Sequence, residues 1–145
     1  MKTMMTKNMG IATFFVRIAL GVTFISAYSG RLNLFGNRPE GWQQFLEYAA
    51  RVNSYAPDFI QSPLAILATI LEVAFSILLI AGFKTRIVAI ASGTLTCFFA
   101  LAMTYSFGIK EPLDYGVFVN FSAAFLLATM PKHQWSLDYL LEVIK

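Results

Sequence analysis

Cysteine and histidine each occur once in the 145 residues. A disulfide relay needs a pair of thiols, so Cys97, alone inside an apolar run, excludes redox cycling through internal disulfides and reads as a small packing residue. Haem held between membrane helices takes its axial ligands, usually histidines, from within the bundle. His133 lies outside every apolar run, in Pro-Lys-His-Gln-Trp, which excludes b-type haem and a His-based metal site. No grouping of nucleophile, base and oxyanion donors and no phosphate-binding loop is present, so no catalytic residue is assigned and the balance lies against an enzyme.

Charge is scarce as well. Only 13% of the residues are charged, against about 25% in soluble domains. With 57% apolar residues, 14 Phe and a mean hydropathy of +0.63, the chain cannot clothe a globular surface in polar groups and must face lipid. Lys and Arg outnumber Asp and Glu by 11 to 8. The basic residues are scattered beside apolar runs rather than clustered, a pattern that orients a membrane protein and excludes nucleic acid as a partner.

About 20 mainly apolar residues cross the hydrocarbon as a helix. Four stretches approach this, at about residues 10–30, 63–83, 87–107 and 115–130, the last closed by Pro131. The first could pass for a secretory signal, with Lys2 and Lys7 before it, but Arg17 interrupts what would be its apolar centre, so it is expected to stay as a span. Gly-Phe-Lys-Thr-Arg at 82–86 is a reversal too short for anything but antiparallel neighbours. Pro112 and Asp114 break and restart helix before the fourth span. In the long first connection Trp42, Phe45, Leu46, Ala49, Val52 and Tyr55 recur at helical spacing between polar residues, the pattern of an amphipathic helix on the membrane surface or over the bundle's mouth. The expected fold is therefore all-α: a single domain over residues 1–145, an integral membrane four-helix bundle with an amphipathic surface helix in the first loop. Lys2, Lys7, Lys84, Arg86, Lys132 and Lys145 on one side outnumber Arg31, Arg38, Arg51 and Lys110 on the other, which places both termini in the cytoplasm.

Arg17 and Glu72 are the two charges inside the spans, each costing ~2.5–3.5 kcal/mol at mid-membrane. Counted from the span ends they differ in height by about 6 Å, within an arginine's reach, so an intramembrane Arg17–Glu72 pair is the simplest expectation. Helical side chains lean toward their own N-terminus, however, which tips Arg17 and Glu72 apart. If Arg17 snorkels, Glu72 needs another partner or takes up a proton, as a proton-coupled carrier would require. Arg17, Gly21, Phe24, Tyr28 and Arg31 share one face of the first helix, and Asp114, Tyr115 and Asn120 gather at the start of the fourth. Tyr28, Arg31, Asp114, Tyr115 and Asn120 form either a structural polar lid or the mouth of a small-molecule pocket.

Several segments in order resemble the DoxX family of small bacterial membrane proteins. These are Val-Arg-Ile-Ala-Leu-Gly at 16–21, Trp-Gln-Gln-Phe-Leu-Glu-Tyr at 42–48, Glu72, Gly-Phe-Lys-Thr-Arg at 82–86, and Gly-Ile-Lys-Glu-Pro-Leu-Asp-Tyr-Gly-Val-Phe at 108–118. The resemblance implies a multi-pass, four-helix protein of the bacterial inner membrane. Through the family's link to a quinone-reacting subunit of a thiosulfate-oxidising complex, it makes quinone a candidate ligand and a membrane oxidoreductase a candidate partner. Three functions stay open: a non-enzymatic accessory or subunit protein binding a lipid or quinone, which is favoured; a quinone-reacting subunit of an oxidoreductase whose electron carrier is elsewhere; and a small proton-coupled transporter, working as a homodimer, that uses Glu72.

Overall fold

The computed structural model describes residues 2–131 and 133–144. Among them all regular structure is helical: α1 (Lys2–Ser29), α2 (Gly41–Val52), α3 (Asp58–Ala81), α4 (Thr85–Phe107), α5 (Lys110–Asp114), α6 (Val117–Thr129) and α7 (Leu137–Val143). Three of these are long and apolar enough to cross a membrane: α1 from Asn8, α3 and α4. The expected fourth stretch becomes α6, with 13 residues. Its rise of ~20 Å is shorter than the hydrocarbon thickness of ~30 Å.

The breaks follow from local chemistry. Gly82 ends α3 in the left-handed region, φ +70°, and its N–H donates to the Leu78 carbonyl at 2.9 Å. Lys84, also left-handed, turns the chain into α4. The reversal is as short as its sequence requires, and α3 and α4 pack as neighbours. Gly116, at φ +65°, separates α5 from α6, and extended Met130 before Pro131 closes α6. The amphipathic segment folds as α2, whose buried Gly41, Ala49 and Val52 turn inward against α3 and α4. Gly41 is required there, because a Cβ would strike the Gly30 carbonyl at the end of α1.

Packing divides the bundle into unequal halves. α1 lies along α3, α4 along α6, and the two pairs meet through α3 on α4 and α1 on α6. In the half nearer the termini, Leu20, Phe24, Leu79, Val88, Ala89, Ala124, Leu127 and Ala128 from all four helices form one dense cluster. In the other half the cluster is Val52, Ala100, Ala102, Met103 and Val117, drawn from α2, α4 and α6 alone. There the space between α1, α3 and α4 is not filled.

The C-terminal segment clamps the dense end. Asp138 donates its N–H to the Gly82 carbonyl at 3.0 Å, and its carboxylate accepts from the N–H groups of Lys84 and Thr85 at 2.7 Å each, capping α4. Trp135 meets Phe14 edge-on, with ring centroids 5.5 Å apart. Gly82 is thus held twice, by its φ and by crowding, since a Cβ there would run into the Arg17 guanidinium and Ser136. Gly116 has the same kind of φ but open space around it. Thermal unfolding in detergent is expected to show a loss of about 1 kcal/mol for Gly116→Ala and at least twice that for Gly82→Ala; equal losses would mean that the clamp does not crowd this turn.

Candidate functional site

The unfilled half holds a cavity of about 810 Å³ between α1, α3 and α4, roofed by α2 and reached by the start of α6. This lies in the range of small-molecule pockets, ~300–1,000 Å³. Small side chains make the space: Ala27 on α1, Ala65 and Ala68 on α3, Thr96 and Ala102 on α4. Val22, Leu67, Phe98 and Tyr115 line it and are each at least half exposed, so the cavity is open to its surroundings.

Glu72 lines this cavity at 2% exposure and forms its ion pair with Arg31. The expected Arg17–Glu72 pair is not formed. Arg31 stands just past α1, in turns where the N–H groups of Leu32 and Leu34 donate back to the carbonyls of Tyr28 and Ser29, both at 3.0 Å. From there its guanidinium reaches Glu72 and lies 3.8 Å over the ring of Phe45 on the roof helix.

The direction of side-chain lean accounts for the choice. On α3 the lean tips Glu72 toward the start of that helix, where the loop and Arg31 are. On the antiparallel α1 it tips Arg17 the other way. Register then adds to the separation. Arg17 lies level with Gly82, the end of α3, and Gly21 lies against Ile80. The apolar run that starts near Gly10 is not the edge of the bundle. From Gly10 to Arg17 alone, about 10 Å of α1 runs past the end of α3, and it is flanked by the C-terminal segment, Gln134 lying against Gly10. Arg17 is buried at that end; its Nη2 donates to the Trp135 carbonyl at 2.6 Å, and its charge faces Asp138.

The face shared by Gly21, Phe24 and Arg31 is turned inward, as its spacing requires. Tyr28 is spent on a hydrogen bond with Ser76, 3.3 Å between hydroxyl oxygens, and does not line the cavity. Tyr115 and Asn120 do line it. Asp114 does not: it pairs with Lys110 one turn back on the exposed side of α5. Of the five mouth residues the structure therefore brings Arg31, Tyr115 and Asn120 together and turns Tyr28 and Asp114 elsewhere.

Phe45 and Tyr48 are further cavity residues, from the roof. Tyr48 stacks on Phe107, ring centroids 5.8 Å apart. Burial, reinforced by Tyr115 and Glu111 close by, pushes its phenol up to about 12, so it stays protonated at neutral pH. Its sequence signal was its place three residues beyond Phe45 and four before Val52 on the inward face of α2. No group of three or more His, Cys, Asp or Glu side chains converges to hold a metal among the described residues.

The DoxX family model matches residues 12–106. The chain belongs to the DoxX family. No curated protein and no solved structure matches it. The matched part of this DoxX chain runs from α1 to the last turn of α4, so it contains both Arg31 and Glu72 and the whole roof helix, whereas Tyr115 and Asn120 lie beyond it.

Removing one member of a buried ion pair costs ~3–5 kcal/mol, because the other is left unpaired. Arg31→Met and Glu72→Leu are each expected to lower stability in detergent by an amount of that order, and the double variant to recover at least ~1 kcal/mol of the sum. Arg17→Met combined with Glu72→Leu should be additive within ~0.5 kcal/mol. Coupling of Glu72 to Arg17 instead of Arg31 would refute the pairing.

Proposed function

We propose that this DoxX protein is a non-enzymatic subunit or accessory protein of the bacterial inner membrane that holds a lipid or quinone molecule in its open cavity. The carrying observation is an open, mainly apolar cavity of about 810 Å³ with the Arg31 guanidinium fixed on its wall by Glu72. An apolar body satisfies the alanine and leucine walls. Arg31 has five N–H donors, and those not given to Glu72 suit an oxygen acceptor on the ligand. Glu72 neutralises the arginine and fixes its direction, so the site selects a polar head without carrying net charge.

In this reading α1, α3, α4 and α6 form a four-helix membrane bundle, with α5 and the turns around it completing the short fourth crossing. The count of basic residues supports cytoplasmic termini, which puts the cavity in the outer leaflet. The chain carries no electron-transfer ligand set, so redox chemistry on a bound quinone would belong to a partner oxidoreductase. The dense cluster of Leu20, Phe24, Leu79, Val88 and Leu127 beneath the cavity supports holding over carriage, since a carrier needs access from the other face as well.

Purification of the full chain in mild detergent, followed by solvent extraction and mass spectrometry, tests this. About one quinone or lipid molecule per chain is expected, with most of it lost in Arg31→Met. A wild-type protein that retains neither, or an Arg31→Met variant that retains as much, would overturn the reading.

A further inference from the structure

Two residues that line the cavity, Leu67 on α3 and Phe98 on α4, lie inside membrane-crossing helices and are nonetheless 52% and 64% exposed. They stand at one height. Leu67 is fifteen residues before Gly82 and Phe98 thirteen after Thr85, so each lies about 20 Å along its helix from the reversal. They also share one gap. Leu67 lies about 140° around α3 from Ile80, which meets Gly21 of α1, and Phe98 about 140° around α4 from Gly93, which meets Ala124 of α6. Turned from those packed neighbours yet lining the cavity, the two side chains form the outer lips of the gap between α3 and α4. Near the reversal that gap is shut by Leu79 packed with Val88 and Ala89. Toward α2 the buried cluster is drawn from α2, α4 and α6, and α3 stands away from it.

The roof, by contrast, is tied down at both ends. The Ser106 hydroxyl on α4 donates to the Val52 carbonyl at 2.6 Å and lies 3.2 Å from the Ser54 hydroxyl. Tyr55 meets Tyr105 edge-on, with ring centroids 5.7 Å apart. At the start of α2, Gly41 sits against the Gly30 carbonyl and Phe45 lies against the Arg31 guanidinium. A molecule arriving from water would pass under these contacts, whereas one already dissolved in the bilayer has only to pass between two apolar side chains. The chemistry of the edges agrees. The exposed lining on α1 includes Thr23 and Ser26, while on α3 and α4 it is Leu67 and Phe98 alone, an edge with no polar group to desolvate an apolar chain against.

We propose that the cavity is loaded sideways from the bilayer, and that its ligand is a membrane-dissolved amphiphile whose chain leaves between α3 and α4, over Leu67 and Phe98, while its oxygen-bearing head stays at Arg31. This rests on the reading that the cavity holds a ligand. Two sources share that chemistry: the tail of a quinone and the acyl chain of a lipid.

The test uses the purified full chain in proteoliposomes, with Cys97→Ala as background so that introduced thiols are the only ones. Leu67→Cys with Phe98→Cys is joined across the gap by bismaleimides of graded length. Ser54→Cys with Ser106→Cys is joined in the same way and fastens the roof to α4. Each linked protein is compared with the same variant capped on both thiols by N-ethylmaleimide. The vesicles supply two deuterated probes, a decyl-substituted benzoquinone and dipalmitoylphosphatidylcholine, and uptake is read by mass spectrometry after re-purification in mild detergent. The link between positions 67 and 98 is expected to slow uptake by ~10-fold or more, and the roof link to leave it within about twofold of its capped control. The probe that is taken up identifies the source. Uptake that the first link leaves unchanged, or that the roof link slows as much, would overturn the proposal while leaving the cavity's role intact. So would thiols at positions 67 and 98 that no linker joins. A Cys97→Ala chain that takes up neither probe would instead remove the reading on which the proposal rests.

Discussion

A carboxylate in the middle of an apolar helix must find a cation or give up its charge, and most of the loop-side half of this protein is arranged around that requirement at Glu72. Arg31 can reach it only because the turns after Ser29 hold the chain directly above the end of α1. Phe45 covers the guanidinium, which fixes α2 over the bundle. α2 cannot then collapse into the core, and the small residues of α3 and α4 beneath it are left facing a void. Charge pair, roof and cavity are one construction, and a change in the first would be felt in the other two.

The two buried charges have unlike solutions. Glu72 meets another side chain across a space that a ligand can enter. Arg17 meets a main-chain carbonyl and lies 5.5 Å over the centroid of the Phe14 ring in the dense half. The first arrangement suits a site and the second a seam. The DoxX match spans Arg17, Arg31 and Glu72, but it stops before the C-terminal segment that completes the surroundings of Arg17.

Much of the architecture was legible because it rests on composition and period. Long apolar runs gave α1, α3 and α4; the Trp42 to Val52 pattern gave α2; and Gly82 with its short neighbours gave the reversal. Partner choice was not legible in the same way, because it depends on how far α1 slides along α3. That slide is set by Gly21 against Ile80 and by where Gly82 stops α3, neither of which marks itself in an apolar run. The lean of helical side chains did carry the right signal, pointing Arg17 and Glu72 apart. Asp114 and Tyr28 could not be sorted from Tyr115 and Asn120 by spacing, since α5 breaks the helical phase before α6 begins. Tyr48 stayed hidden because it shares the inward face of α2 with apolar residues.

The bond from Arg17 to Trp135 joins residues 118 positions apart. Synthesis runs from one to the other, so the first helix must enter the bilayer with a bare guanidinium and wait for nearly the whole chain before its carbonyl arrives. A chain cut before Trp135 would leave that guanidinium without the carbonyl to which it donates, so the fate of a charge in the first helix rests on a residue far along the chain.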